Sequence, residues 1–179
     1  MIKLTDIAKK YVITENKKLR VFDFDDTVVM TDSFIYVTHR NGKTSKLTPG
    51  EYAVYKEQPG DQFDYSDFQN VNNPTEIKKV TNFLKTISKK TTGDLFILTA
   101  RAAYKPIKQY LSDIGIRNIY VVALGSNNPM DKANWIEDKI DNEGYDDVFF
   151  IDDSKKNVDA AKNMLKNKQI KWRVQLVKH

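Results

Sequence analysis

Val21-Phe22-Asp23-Phe24-Asp25-Asp26-Thr27 is an apolar stretch that ends abruptly in three carboxylates within four positions. A buried strand resists that crowding. Alternation along a strand lets Asp23 and Asp25 point the same way, and like charges so close need a cation or a shared proton. A hard divalent ion meets the need, because Mg2+ takes carboxylate oxygen and keeps positions open for a substrate phosphate. A polar strand end or a cap produces the same letters, so the stretch takes its meaning from its surroundings.

Outward from it, Arg20 to Phe24, Asp94 to Leu98, Asn118 to Val122, Asp147 to Ile151 and Lys171 to Val177 are short and rich in branched or aromatic residues, which predicts strands. Between them apolar residues recur at helical spacing: Ile77, Val80, Leu84, Ile87; Ile107, Tyr110, Leu111, Ile114; Ala133, Ile136, Ile140; Val158, Ala161, Leu165. Asn73-Pro74-Thr75-Glu76 and Asn128-Pro129-Met130-Asp131 each read as a helix start, with an Asn cap, Pro at the first turn and an acid at the third position. Near-continuous apolar strands joined by helical crossovers predict an α/β fold, a Rossmann-like three-layer sandwich around a five-stranded parallel sheet. Ligands of such sheets sit beyond the carboxyl ends of the strands. Asp25, Thr99 and the Asp152-Asp153 pair follow strands directly and are expected to converge on that edge.

Two regions stand outside the alternation. Residues 1 to 18 contain a short helical pattern, Leu4 to Tyr11, without site chemistry. Residues 28 to 74 form an insertion after the first strand, within what reads as one domain spanning 1 to 179. Its first part, Ser33 to Leu47, predicts a hairpin around Asn41-Gly42; Pro49 to Lys56 suits a helix, and Asp61 to Phe68 a loop.

Three further strand-end or helix-start groups bear on chemistry. Leu95-Phe96-Ile97-Leu98-Thr99-Ala100-Arg101 delivers a hydroxyl and then a guanidinium, either of which can meet phosphate oxygen, the guanidinium as a bidentate fork. Thr99 also suits a plain turn. Lys132, just inside the helix begun by Pro129, opposes the helix dipole, which makes an anionic partner attractive; a solvated surface lysine reads the same. Val148-Phe149-Phe150-Ile151-Asp152-Asp153-Ser154 repeats the logic of the first stretch, an apolar strand ending in adjacent acids.

These four groups, in this order, resemble the haloacid dehalogenase (HAD) superfamily, whose pattern is an apolar strand with DxDx[T/V], a second strand ending in Thr or Ser, a Lys, and a strand ending in an acidic pair. The resemblance covers residues 20 to about 165. It implies a phosphatase in which Asp23 is the nucleophile that becomes an aspartyl-phosphate and Asp25 the general acid and base. It further implies that Thr99, Ala100, Arg101 and Lys132 hold the transferring phosphoryl group, Lys132 also offsetting Asp23. Mg2+ would be held by Asp23, the Asp25 main-chain carbonyl and Asp152 or Asp153, with either of that pair open as the direct ligand. Thr27 then orders the loop and Asp26 turns away from the metal. The second acid at Asp25 disfavours dehalogenation, while mutases share all four groups.

HAD proteins differ mainly in the cap over this site. Only Ala123 to Asp131 separates the third strand from Lys132, so the cap is the insertion 28 to 74, a small flap that leaves the mouth open to substrates with bulk beyond their phosphate. The compact form resembles small nucleotidases and the phosphatase part of polynucleotide kinase-phosphatases, which implies nucleotides or nucleic-acid ends as substrates. Phe34 and Tyr36 share a face and either stack a base or pack the flap onto the core; His39, Arg40, Lys43 and Lys46 surround the turn and either meet phosphates or face water.

The formal charge is +5, and residues 154 to 179 carry eight Lys/Arg against one Asp, a local +7 that leaves −2 for the other 153 residues. A basic tail suits contact with nucleic acid or another polyanion, and equally a solvated helix face. That contact without turnover is the rival reading, a HAD-fold binding protein. No cysteine is present, which excludes a disulfide framework and a thiolate metal site, and no apolar run approaches the roughly 20 residues a membrane span needs. The opening MIKLTDIAKKYV lacks the apolar core of a secretory signal, so the expectation is a cytoplasmic protein without membrane contact.

Overall fold

The computed structural model describes residues 16–90 and 93–178. The helical pattern at Leu4 to Tyr11 lies outside these residues. The chain opens with β1 (Lys18–Phe22) and then leaves the core through β2 (Val29–Met30). The insertion contains β3 (Ile35–Thr38), β4 (Thr44–Leu47), α1 (Pro49–Val54), β5 (Gln62–Asp64) and a 3-10 turn at Ser66–Gln69. It returns through β6 (Thr75–Glu76) to α2 (Lys78–Ser88) and β7 (Asp94–Thr99). The remainder alternates: α3 (Lys105–Asp113), β8 (Tyr120–Ala123), α4 (Pro129–Glu143), β9 (Asp147–Asp152), α5 (Lys155–Leu165) and β10 (Lys171–Leu176).

The expected five-stranded sheet is present, with strand order β10-β9-β1-β7-β8 and every pairing parallel. Successive residues of its strands face opposite layers. Phe22, Leu95, Ile97, Phe149 and Ile151 meet Val80 and Leu84 of α2 and Ile107 and Leu111 of α3. On the other face Leu19, Val21, Phe96, Leu98, Val148 and Phe150 meet Ile136 and Ile140 of α4 and Ala161 and Leu165 of α5. Burial of each such side chain contributes about 1.5–3 kcal/mol, enough to override local preferences where the two conflict. β1 lies in the middle of the sheet, so its carboxyl end, where Asp23 emerges, is flanked by β7 and β9.

Local signals account for several boundaries. Asn128 caps α4 through Met130 N–H at 3.0 Å, followed by Pro129 in the first turn. Thr48 and Glu51 form a reciprocal capping box on α1. The hairpin turns at Gly42, whose φ of +78° suits a residue without Cβ. Asn73-Pro74, by contrast, does not begin a helix. Thr75 and Glu76 pair antiparallel with Met30 and Val29, closing the neck of the insertion, and Asn73 spends its amide on Asp32 at 3.0 Å. A tertiary pairing has overruled a good local cap, and α2 starts at Lys78 without one. The stretch Asp61 to Phe68, expected as loop, likewise supplies β5, which pairs with β3 so that Phe63 sits opposite Val37.

The flap is therefore a three-stranded antiparallel sheet, ordered β4-β3-β5, with α1 following β4 in the chain. Tyr52 and Tyr55 of the α1 region pack edge-on against Phe63, and Ile35 and Val37 are buried. Among the described residues no helix is long and apolar enough to cross a membrane.

Candidate active site

Asp23 is the first residue past β1, and its N–H still bonds to Ile151 O at 2.9 Å, so the loop leaves the sheet in a fixed direction. Phe24 turns back into the core and is fully buried. The N–H groups of Val28 and Val29 both return to Phe24 O, and Asp26 takes a left-handed φ of +53° to close the bend. Thr27, fully buried, ties this loop to the next strand end: its hydroxyl accepts Asp153 N–H at 3.0 Å and donates to Asp153 Oδ1 at 3.3 Å.

Asp23, Asp152 and Asp153, three of the four expected metal ligands, lie together at the strand ends. Carboxylate oxygens of Asp23, Asp152 and Asp153 lie within 4.8 Å of one another. Lys132, only 4% exposed, reaches them from the first turn of α4, with Nζ 2.6 Å from Asp23 Oδ1 and 2.8 Å from Asp152 Oδ2. It is not a solvated surface lysine. Asp152 is surrounded by donors, with Ser154 N–H at 2.8 Å and the Asn157 amide at 3.0 and 3.1 Å in addition to Lys132. Asn157 escaped the sequence reading. Its signal was position, five residues past Asp152 and in the first turn of the following helix.

The charges are unequal. When fully ionised, Asp23, Asp152 and Asp153 bring −3 and Lys132 +1, leaving −2 in a largely buried cluster. Burial accordingly pushes the Asp23 carboxyl well above its ordinary range; Lys132 opposes the rise, while Asp152, Asp153 and, least, Asp25 add to it. Burial, Asp152 and Asp26 push Asp153 to about 6. For Lys132 burial alone would favour the neutral amine, but Asp23 and Asp152 hold it protonated. Hard oxygen donors with a deficit of two positive charges fit one divalent cation such as Mg2+.

Asp25 belongs to a second group. The Arg101 guanidinium, 4% exposed, forks onto it, Nε to Oδ2 at 2.8 Å and Nη2 to Oδ1 at 2.6 Å. The fork expected on a substrate phosphate is thus closed on the acid. Thr99 ends β7 almost fully buried, its hydroxyl accepting Arg101 N–H at 3.2 Å, and Ala100 follows it, exposed. The contacts of Arg101 with Thr31, Ser33, Phe68 and Asn70 were not legible beforehand, since they join residues 31 to 70 positions apart.

The flap spends its polar groups mostly on itself. His39 lies between Asp61 Oδ1 at 2.9 Å and Ser45 Oγ at 2.8 Å, and Tyr36 OH donates to Asp67. Lys46 Nζ stands 3.5 Å from the Phe34 ring centre. Tyr52 OH, on the flap, accepts from Asn127 Nδ2 at 3.0 Å, in the loop leading to α4. In the basic tail, Lys155 pairs with Asp159 and Lys168 with Asp141 and Glu137.

No protein-family model matches the sequence, and no curated protein matches it. Two solved structures resemble the fold, both of the HAD domain of effector protein Lem4 from Legionella pneumophila. The inactive mutant of that domain is 15% identical with a TM-score of 0.57, over 91% of this chain and 86% of that one. The other structure is 17% identical with a TM-score of 0.52, over 90% and 86%. The parallel sheet, its flanking helices and this likeness together give the chain a HAD-like fold.

Proposed function

We propose that this protein is a Mg2+-dependent phosphomonoesterase working through an aspartyl-phosphate on Asp23. The observation that carries the reading is the meeting of Asp23, Asp152 and Asp153 beside Lys132, two positive charges short of neutrality. Asp23, the Asp25 main-chain carbonyl and Asp152 or Asp153 would hold Mg2+, which would supply those charges and neutralise the phosphate beside them.

In the first step an Asp23 carboxylate oxygen bonds to phosphorus as the bond to the leaving oxygen breaks. The electron pair goes to that oxygen, and Asp25 gives it a proton. In the second, water bonds to phosphorus and passes its proton to Asp25, while the bond to Asp23 breaks and returns the pair to the carboxylate. Thr99, Ala100 and Lys132 receive the phosphoryl oxygens, and the ammonium of Lys132 offsets the charge of nucleophile and phosphate together. Arg101 serves the site through Asp25.

The substrates proposed are nucleotides or nucleic-acid ends. An open hollow of about 770 Å3 on the flap, lined by Phe34, Tyr36, Lys46, Asp32 and Asp67, is the seat proposed for the leaving group. Its two carboxylates against one lysine favour a nucleoside over a strand carrying further phosphates. The test is phosphate release from mononucleotides, oligonucleotides with 3' or 5' phosphate, a phosphopeptide and sugar phosphates, with Mg2+ and with chelator. Mononucleotides with Mg2+ should turn over best, and Asp23→Asn should abolish turnover. Undiminished release by that variant would show that another group is the nucleophile.

A further inference from the structure

We infer that Arg101 is a positioning residue that makes the place of the Asp25 carboxylate depend on the seating of the flap. The inference rests on the phosphatase reading above, in which Asp25 handles the proton.

Arg101 stands just beyond β7, on the core, and is 4% exposed. A buried guanidinium is stable only if its N–H groups are matched, and here each edge meets a different part of the chain. Nε and Nη2 hold the two oxygens of Asp25. Nη2 also donates to Thr31 Oγ at 3.2 Å and Ser33 Oγ at 3.3 Å, on the outgoing leg of the insertion. Nη1 donates to Asn70 O at 2.5 Å and Phe68 O at 3.4 Å, on the returning leg, and the Phe68 ring lies 4.8 Å from the guanidinium carbon. Both legs of the flap and the acid therefore meet at one cation.

The consequence is mechanical. If the returning leg lifts, Nη1 loses its two carbonyls, and the guanidinium must shift toward new partners or water. Its fork then no longer fixes the plane of the Asp25 carboxylate. Thr31, which also contacts Asp25 Oδ1 at 3.4 Å, moves with the same segment. The acid is aimed only when the flap is down, which confines proton transfer to the covered site. A clip that merely held the flap would not need the fork on Asp25, and a phosphate ligand would not need the carbonyls of 68 and 70.

The experiment compares Arg101→Lys and Arg101→Met with wild type on two esters of similar size, 4-nitrophenyl phosphate and benzyl phosphate. The first leaves without help from an acid and the second does not. Misplacing a general acid costs on the order of 10²-fold or more. Both variants should lose that much kcat on benzyl phosphate and far less on the nitrophenyl ester, with KM little changed. Lysine should restore the melting temperature but not benzyl turnover, since it keeps the charge without the fork. A second measurement needs no turnover: amide hydrogen exchange over residues 68–73 should quicken in Arg101→Lys and in Asp25→Asn alike. Equal losses on both esters, or exchange unchanged over 68–73, would overturn the inference. A wild type inert on both esters would sink the phosphatase reading instead, leaving exchange to decide whether acid and flap are tied.

Discussion

Replacing Asp153 by asparagine removes one negative charge from the acidic cluster while keeping the side chain's size and an oxygen for Thr27. In the folded protein the Asp153 carboxyl is pushed from the ordinary 3.8 to about 6 by burial, Asp152 and Asp26. The folded state therefore binds the proton more tightly than the unfolded chain, and stability falls as pH rises through that window. Each tenfold change in proton affinity is worth about 1.4 kcal/mol, so two such decades make Asp153 a liability of about 3 kcal/mol above pH 6 and none below pH 4. For a chain of this length that corresponds to about 6–12 °C in melting temperature. Asp23 acts in the same direction. Asp61 and Glu51, held below their ordinary range, act in the opposite one, so the difference between variant and wild type is the quantity to read. The assay is thermal unfolding by circular dichroism between pH 4 and pH 7.5, with chelator and with Mg2+. With chelator Asp153→Asn should melt higher than wild type at pH 7 and equal to it at pH 4, and Mg2+ should raise wild type more than the variant. Parallel pH profiles for the two proteins, or no response to Mg2+ in wild type, would refute the charge accounting.

Lys132→Met should be the mirror image. It strips the cation from two buried acids and should cost about 3–5 kcal/mol in chelator, as loss of one partner of a buried pair does, with Mg2+ recovering part of the melting temperature but not turnover. In the flap, His39→Ala removes the bridge between Asp61 and Ser45, each within 2.9 Å of the ring. Hydrogen exchange should then quicken over residues 36–47 and 58–64 while β9 stays protected; exchange spread evenly over the chain would contradict a bridge confined to the flap.

The fold was readable because its strands are buried on both faces, so apolar runs such as Val148 to Ile151 carry their own signal. The acids were readable for the opposite reason, since Asp23, Asp152 and Asp153 break those runs where burial makes a charge costly. Lys132 could be placed by the Asn128-Pro129 start of its helix, though not its choice of two carboxylates. Contacts decided between distant residues were not legible. Pairing of Thr75 and Glu76 with β2 overruled a sound helix cap at Asn73, and β5 is a strand because β3 offers it an edge. Arg101 is the clearest instance: its sequence neighbours suggested a phosphate, and its partners 31 to 76 residues away took the guanidinium instead.

Two carboxylates two residues apart thus sit in different electrostatic situations, and that difference supports dividing the labour between them. Asp25 takes one edge of the Arg101 guanidinium, Nε and Nη2, and so has a cation of its own within the protein. Asp23 shares one ammonium with Asp152 and has Asp153 nearby, so its charge is balanced only when something cationic arrives. A group balanced from within can pass a proton without needing the ion, whereas a group short of positive charge suits the place where metal and phosphate assemble. The pairing pattern accordingly favours Asp23 as the atom that meets phosphorus and Asp25 as the one that moves the proton. Leaving Asp25 short of a cation as well, as Arg101→Met does, should leave Mg2+ binding largely intact and damage proton transfer. Calorimetric titration of Mg2+ into that variant checks the argument, and loss of Mg2+ affinity matching that of Asp23→Asn would reverse it.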